Sequence, residues 1–173
     1  MRASIYCVDR SVDFMSKWNR HVGVYGFCYS QDKLLVIHKN KGPYTGRFDL
    51  PGGTIEPDES IIDALHREFY EETGCRVKIV RNAGVRDFVV PWTRAGHDHS
   101  HCQHIALFFE VEFIEGDVER SPRIDDSKGA AWMDISLLKE DNSSPLVMEA
   151  LNWIRTGKIG TETVYYDEWV VMQ

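Results

Sequence analysis

Glu68, Glu71 and Glu72 are the residues whose type and spacing point most directly to chemistry. In a helix, positions i, i+3 and i+4 share one side, with neighbouring Cβ atoms roughly 5–6 Å apart. Three like charges are then crowded at the C-terminal end, where a helix dipole equivalent to about −0.5 charge opposes them as well. A divalent cation reverses both penalties, and carboxylate oxygens suit Mg²⁺. A Glu-rich amphipathic helix is more often only a solvated face, so the residues around the three glutamates decide between the two readings.

The helix is expected to start at Pro57, whose fixed φ suits a first helical position, with Asp58 and Glu59 favouring the positive N-terminal end and Gly74 stopping it. Ile61, Ile62, Leu65 and Phe69 form the stripe that docks on a sheet; Glu68 and Glu72 border it and Glu71 lies just beyond. Upstream, HVGVYGFCYS from His21 and KLLVIHK from Lys33 read as a hairpin turning at Gln31 and Asp32. The loop from Asn40 to Gly53 follows, with two prolines and four glycines and a tight turn expected at Pro51-Gly52-Gly53.

Strands are expected at CRVKIV, VRDFVV, HIALFFEVEF (from His104), GAAWMDI and the tail TVYYDEWVVM. A second helix is expected over Pro145–Thr156, capped by Ser144, stopped by Gly157 and buried through Val147, Ala150, Leu151 and Ile154. Residues 1–20 read as an N-terminal extension, an added strand or a partner-exchanging arm. Strands mixed with two helices make one α/β layered domain over residues 1–173.

From Gly53 to Cys75 the chain reads GTIEPDESIIDALHREFYEETGC: Gly53, five residues, Glu59, seven residues, Arg67-Glu68, Phe69, Tyr70, Glu71-Glu72, Thr73, Gly74 and an apolar residue. This resembles the box of the Nudix hydrolase (MutT-like) family at every fixed position. With roughly 5–7% usage for each of seven fixed residues, a chance match is on the order of 10⁻⁷. Phe48 stands where many members carry Trp, and Cys75 where an aliphatic residue is common; both stay apolar.

The resemblance implies an α/β/α sandwich with a mixed central β-sheet, a requirement for Mg²⁺ or Mn²⁺, and hydrolysis of the diphosphate linkage of a nucleoside diphosphate joined to another group. It implies Glu68, Glu71, Glu72 and the backbone carbonyl of Gly52 as metal ligands, with one glutamate as base. Arg67, four residues before Glu71, is placed to hold that carboxylate, and Glu59 to fix Arg67. Asp126 lies where some members supply a further acidic ligand or the base; Asp125 and Asp126 serve equally well as turn formers. The alternative is a nucleotide-binding sensor of the same fold that does not hydrolyse, a class that tends to lose box glutamates, whereas all are present here. A diphosphate isomerase would need further acid and base groups that the chain does not reveal.

Composition narrows the partners. The chain has 173 residues, a net charge of −7, and is 43% hydrophobic and 27% charged. That charge argues against a nucleic-acid polymer held by a basic surface. Cys7, Cys28, Cys75 and Cys102 make no CxxC pair and follow no signal-peptide core, which fits a reducing cytoplasm. No apolar run nears the ~18–20 residues of a membrane span. The partner expected is a small nucleotide diphosphate, with a homodimer left open.

For the substrate, Lys39, Lys41 and Arg47 offer positive charge to a diphosphate, although surface solubility is the plainer explanation. Tyr44, Phe48, Phe88 and Trp92 offer faces for a base, although aromatics beside strands are more often core. His97, His99, His101 and His104 form an H-x-H-x-H-x-x-H run. It reads first as a polar loop entering a strand, then as a loop over the substrate with His101 in contact, and least as a second metal site. Pro91, seventeen residues after Gly74, falls near the position of a proline associated with ADP-ribose hydrolysis in the family.

Overall fold

The computed structural model describes residues 3–4, 18–94, 96–122 and 127–172. Its elements are β1 (Ala3–Ser4), β2 (Trp18–Phe27), β3 (Tyr29–Ser30), β4 (Lys33–Lys39), β5 (Phe48–Asp49), β6 (Gly52–Thr54), α1 (Ile61–Thr73), β7 (Arg76–Pro91), β8 (His101–Glu115), β9 (Ser127–Asp134), α2 (Pro145–Thr156) and β10 (Val164–Tyr166). One sheet runs β1-β10-β7-β8-β2-β6. The other joins β3, β4 and β5, with β9 paired to β4.

The first sheet is mixed: β8 lies parallel to β2 and β10 to β7, while β7–β8, β2–β6 and β1–β10 are antiparallel. The expected hairpin forms, and it changes sheet at Cys28, between β2 and β3. Gln31 (φ 50°) and Asp32 (φ 60°) make its turn, both left-handed as strand twist requires of a two-residue connection. The two strands expected between Cys75 and Pro91 are one, β7, with register shifts around Ile79–Arg81 and Asn82–Gly84.

Alternation along the strands splits the core in two. Val24, Leu35 and Phe109 meet Leu65 and Phe69 of α1, whereas Phe27, Leu34 and Phe108 meet Leu146, Val147, Ala150 and Trp153 of α2. A helix thus covers each apolar layer, the α/β/α sandwich that the resemblance implied.

Helix α1 starts at Ile61, four residues after the expected Pro57. Asp58 has φ 66°, which helical backbone cannot use, and Ser60 caps instead, its Oγ accepting from Asp63 N at 3.1 Å. Ile61 and Ile62 therefore fall in the first turn, 40% exposed each, and Ala64, Leu65 and Phe69 take over the buried stripe. Gly74 ends the helix with φ 68°, its N–H bonded to Tyr70 O, as expected. Helix α2 has the expected bounds and caps. Leu146 and Trp153 are its deeply buried residues beside Val147 and Ala150, while Leu151 and Ile154 are only partly covered.

Two other expectations are corrected. Pro51-Gly52-Gly53 is a bend at Pro51 running into β6, because Gly52, Gly53 and Thr54 pair with Tyr25, Val24 and Gly23. The tail forms a strand only at Val164–Tyr166. Beyond it the chain folds back onto the loop before β5: Trp169 Nε1 donates to Pro43 O at 2.6 Å and Met172 N to Thr45 O at 3.2 Å. At the other end, Ala3–Ser4 pair with Tyr165 and Tyr166; residues 5–17, with Cys7, lie outside the described residues.

Candidate active site

Strand β6 brings two bare backbones against the end of α1. Gly52 has φ 142°, and a Cβ there would fall 2.2 Å from Val24 O, so only glycine lets β6 lie this close to β2. Its N–H donates to Glu72 Oε2 at 2.9 Å, fixing a carboxylate whose residue is 4% exposed. Lys39 Nζ stands 3.7 Å from the other oxygen, Glu72 Oε1. At Gly53 an added Cβ would fall 2.7 Å from Glu68 Cδ, so the Glu68 carboxylate occupies the space a side chain would take.

Arg67 is the hub of the remaining charges. It grips Glu59 with two bonds, Nε to Oε2 at 3.1 Å and Nη2 to Oε1 at 2.7 Å, and donates to Thr54 O at 3.1 Å. Its Nη1 stands between Glu68 Oε1 at 3.0 Å and Glu71 Oε2 at 3.2 Å. The bond to Glu59 lifts the Arg67 pKa further and holds the Glu59 carboxyl below its ordinary value. Glu68 goes the other way: burial raises its pKa despite Arg67 and Lys39.

These contacts change the sequence argument at one point. The three glutamates are relieved by Arg67, Lys39 and the Gly52 N–H as well as by any ion, so their position at the wrong helix pole does not by itself demand a metal. Among the described residues, no three His, Cys, Asp or Glu side chains converge closely enough to close around an ion alone. The donor set nevertheless fits Mg²⁺ or Mn²⁺. It is all oxygen, Glu68 is cradled on Gly53, and such ions keep waters and substrate phosphates among their ligands rather than needing a protein cage.

A cavity of about 240 Å³ adjoins this cluster through Lys39, which lines it together with Lys41, Tyr25, Tyr44, Trp92 and His104. A larger depression, about 810 Å³, is lined by Tyr29, Lys33, Glu110 and Trp132 and includes none of the box residues.

The structure sorts the other candidates. Lys39 and Trp92 line the cavity. Arg47 does not: it is 1% exposed, donates to the carbonyls of Glu140 (3.0 Å), Asp141 (2.8 Å) and Val170 (3.1 Å), and lies 4.4 Å from the centre of the Trp169 ring. Burial against those carbonyls makes it a fastener between loop and tail instead of a substrate contact. Phe48 packs partly buried against the core, edge-on to His38 at 5.6 Å, away from the cavity lining. Phe88 is buried core.

His101 is also displaced from its expected role. Its Nδ1 meets Ser100 Oγ at 2.7 Å and its ring faces Trp18 at 6.0 Å, while His97 and His99 tilt against each other at 5.7 Å, His99 also against Trp92 at 5.1 Å. Two histidines line the cavity, His104 and His21, which are opposite each other in register with ring centres 4.7 Å apart. The signal was in the sequence: Cys102, His104, Ala106 and Phe108 alternate inward along one strand. Asp125 and Asp126 lie outside the described residues.

The profile of the NUDIX domain matches residues 17–154. The chain is similar to the ADP-ribose pyrophosphatase of Methanocaldococcus jannaschii, 31% identical over 118 residues, covering 68% of this chain and 63% of that one. It is similar to the NAD-capped RNA hydrolase NudC of Chromobacterium violaceum, 31% identical over 60% of this chain and 34% of that one. The chain thus spans less than two thirds of either relative. Among solved structures, a NUDIX hydrolase from Nitrosomonas europaea superposes with a TM-score of 0.64 at 27% identity, over 82% of this chain and 92% of that one.

Proposed function

The chain belongs to the NUDIX family, and we propose that it is a Mg²⁺- or Mn²⁺-dependent pyrophosphohydrolase that cleaves the diphosphate linkage of a nucleoside diphosphate joined to another group. The observation that carries this is the Glu68 carboxylate seated on Gly53 beside a Glu72 held by Gly52 N–H, opening through Lys39 onto an aromatic-lined cavity.

Glu68, Glu71, Glu72 and the Gly52 carbonyl would hold the ion, with Asp126 a further proposed ligand. When bound, it neutralises diphosphate charge and acidifies a water. One of these glutamates would also serve as the base. Arg67 keeps Glu68 and Glu71 oriented, and Glu59 keeps Arg67 oriented. Lys39, paired with Glu72 and facing the cavity, draws the diphosphate between the carboxylates and the cavity.

A reducing compartment is supported by Cys28, Cys75 and Cys102, all buried and free. No helix among the described residues is long and apolar enough to cross a membrane. A single domain and a cytoplasmic location belong to the proposal, which leaves a homodimer open.

The reading without hydrolysis draws on one observation, the position of Arg67 Nη1 between Glu68 and Glu71. A panel of ADP-ribose, nucleotide sugars, dinucleoside polyphosphates and oxidised nucleoside triphosphates, each with and without Mg²⁺, separates the two. Metal-dependent release of a nucleoside monophosphate supports hydrolysis. Tight binding with no product across the panel favours the sensor.

A further inference from the structure

His104 is 4% exposed, lines the 240 Å³ cavity, and its Nε2 is buried with no hydrogen-bond partner among the described residues. Buried polar atoms in folded proteins are nearly always satisfied, so an orphaned one on a ring that lines a cavity points to something that completes it. Its other nitrogen, Nδ1, meets Tyr44 Oη at 3.3 Å. Tyr44 is 2% exposed, and burial raises its pKa, so the hydroxyl keeps its proton.

A buried hydroxyl must place that proton on an acceptor, and Nδ1 is the acceptor in reach. Burial also keeps His104 neutral. That assigns the remaining imidazole proton to Nε2, on a ring that lines the cavity.

We propose that His104, with its tautomer set by Tyr44, is the specificity-determining residue of the base pocket: its Nε2–H donates to a carbonyl oxygen or ring nitrogen of a planar nucleobase.

This rests on the hydrolase reading for the identity of the ligand as a nucleotide. Tyr25, Tyr44 and Trp92 supply flat aromatic walls, and the rings of Tyr25 and Tyr44 lie 5.2 and 5.6 Å from that of His104. The volume is below the roughly 300–1,000 Å³ of pockets that enclose a whole drug-sized ligand, so it takes one ring system rather than an entire dinucleotide. Lys39 and Lys41 also line it, and Lys39 reaches Glu72, so the phosphates lie on the lysine side and the base faces His104.

The test is calorimetric binding, without metal, of AMP, GMP, UMP, CMP and ribose 5-phosphate to the whole protein and to His104→Phe, His104→Gln and Tyr44→Phe. The wild type is expected to bind its preferred monophosphate about 10- to 100-fold tighter than ribose 5-phosphate, the penalty for leaving a buried donor unpaired. His104→Phe should shrink the spread among bases to about twofold. His104→Gln, which retains an N–H donor, should keep part of it, and Tyr44→Phe, which frees the tautomer, should narrow it. An imidazole ¹⁵N spectrum should show Nε2 protonated and shift on base binding.

Equal affinities for ribose 5-phosphate and every monophosphate, including no binding by any, overturn the proposal. So does an unchanged order of bases in folded His104→Phe or, should that variant not fold, in Tyr44→Phe. Because this binding needs neither metal nor turnover, base recognition through His104 in a protein that cleaves nothing would fail only the hydrolase reading. Hydrolysis with an unaltered base preference in His104→Phe would fail only this one.

Discussion

The carboxylate of Glu68 sits where the side chain of residue 53 would be: an added Cβ on Gly53 would fall 2.7 Å from both Glu68 Cδ and Oε2. Gly53→Ala should push that carboxylate aside at little structural cost, because the obstacle is the end of a flexible side chain. The expected result is a fall of about tenfold or more in kcat/KM from misplacement, with Tm nearly unchanged. Gly52→Ala is the contrast. Its Cβ would meet the Val24 carbonyl at 2.2 Å with φ at 142°, so stability should fall by about 2 kcal/mol or more, seen as a lower denaturation midpoint.

Arg67 and Glu59 should behave as a unit. Arg67→Lys loses the two-bond grip on Glu59 and the bridge from Glu68 to Glu71. Turnover is expected to drop more in Arg67→Lys than in Glu59→Gln. A double-mutant cycle on kcat/KM should give a coupling of about 1 kcal/mol; additive losses would mean that Glu59 does not act through Arg67.

Arg47 should matter for stability and not for substrate. Removing a buried guanidinium that donates to three backbone carbonyls is expected to cost about 2–4 kcal/mol. Thermal denaturation of Arg47→Ala should fall by about 5–15 °C, while the folded fraction keeps the wild-type KM.

His104 should leave a mark on stability against pH. Burial first, then His21 and Lys39, depress its pKa well below the ordinary 6.5. As pH falls below 6.5 the unfolded chain takes up a proton that the folded protein refuses, so stability is full above that value and is lost toward the depressed pKa. Between about pH 7 and 5.5, wild-type unfolding free energy should drop by about 1 kcal/mol more than that of His104→Gln. Parallel curves in urea titrations would contradict this.

Much of this was readable in the chain. The Glu68, Glu71, Glu72 spacing, the Gly74 stop and the bounds of α2 follow from local rules that a helix obeys wherever it is placed. Pro57 suits a first helical position by its own φ, and only the positive φ of Asp58 excludes it and leaves the cap to Ser60. Arg47 looked like a surface cation because the carbonyls that bury it come from Glu140, Asp141 and Val170, remote in sequence. Likewise the charge balance at the glutamates depends on Lys39 and Gly52 reaching Glu72 across the fold. The histidine run hides the two-residue period that turns His104 inward and leaves His101 only partly buried.

The most direct measurement is nucleoside monophosphate release against Mg²⁺ concentration for wild type, Glu68→Gln and Glu72→Gln, with folding of each checked by circular dichroism. Glutamine keeps the shape and the acceptor for Gly52 N–H but removes the charge that would hold the ion. Metal-dependent hydrolysis is expected in the wild type, with a loss of at least about 100-fold, ~2.7 kcal/mol of transition-state stabilisation, in each folded variant. Wild-type turnover in either variant, or turnover that persists in excess chelator, would contradict it.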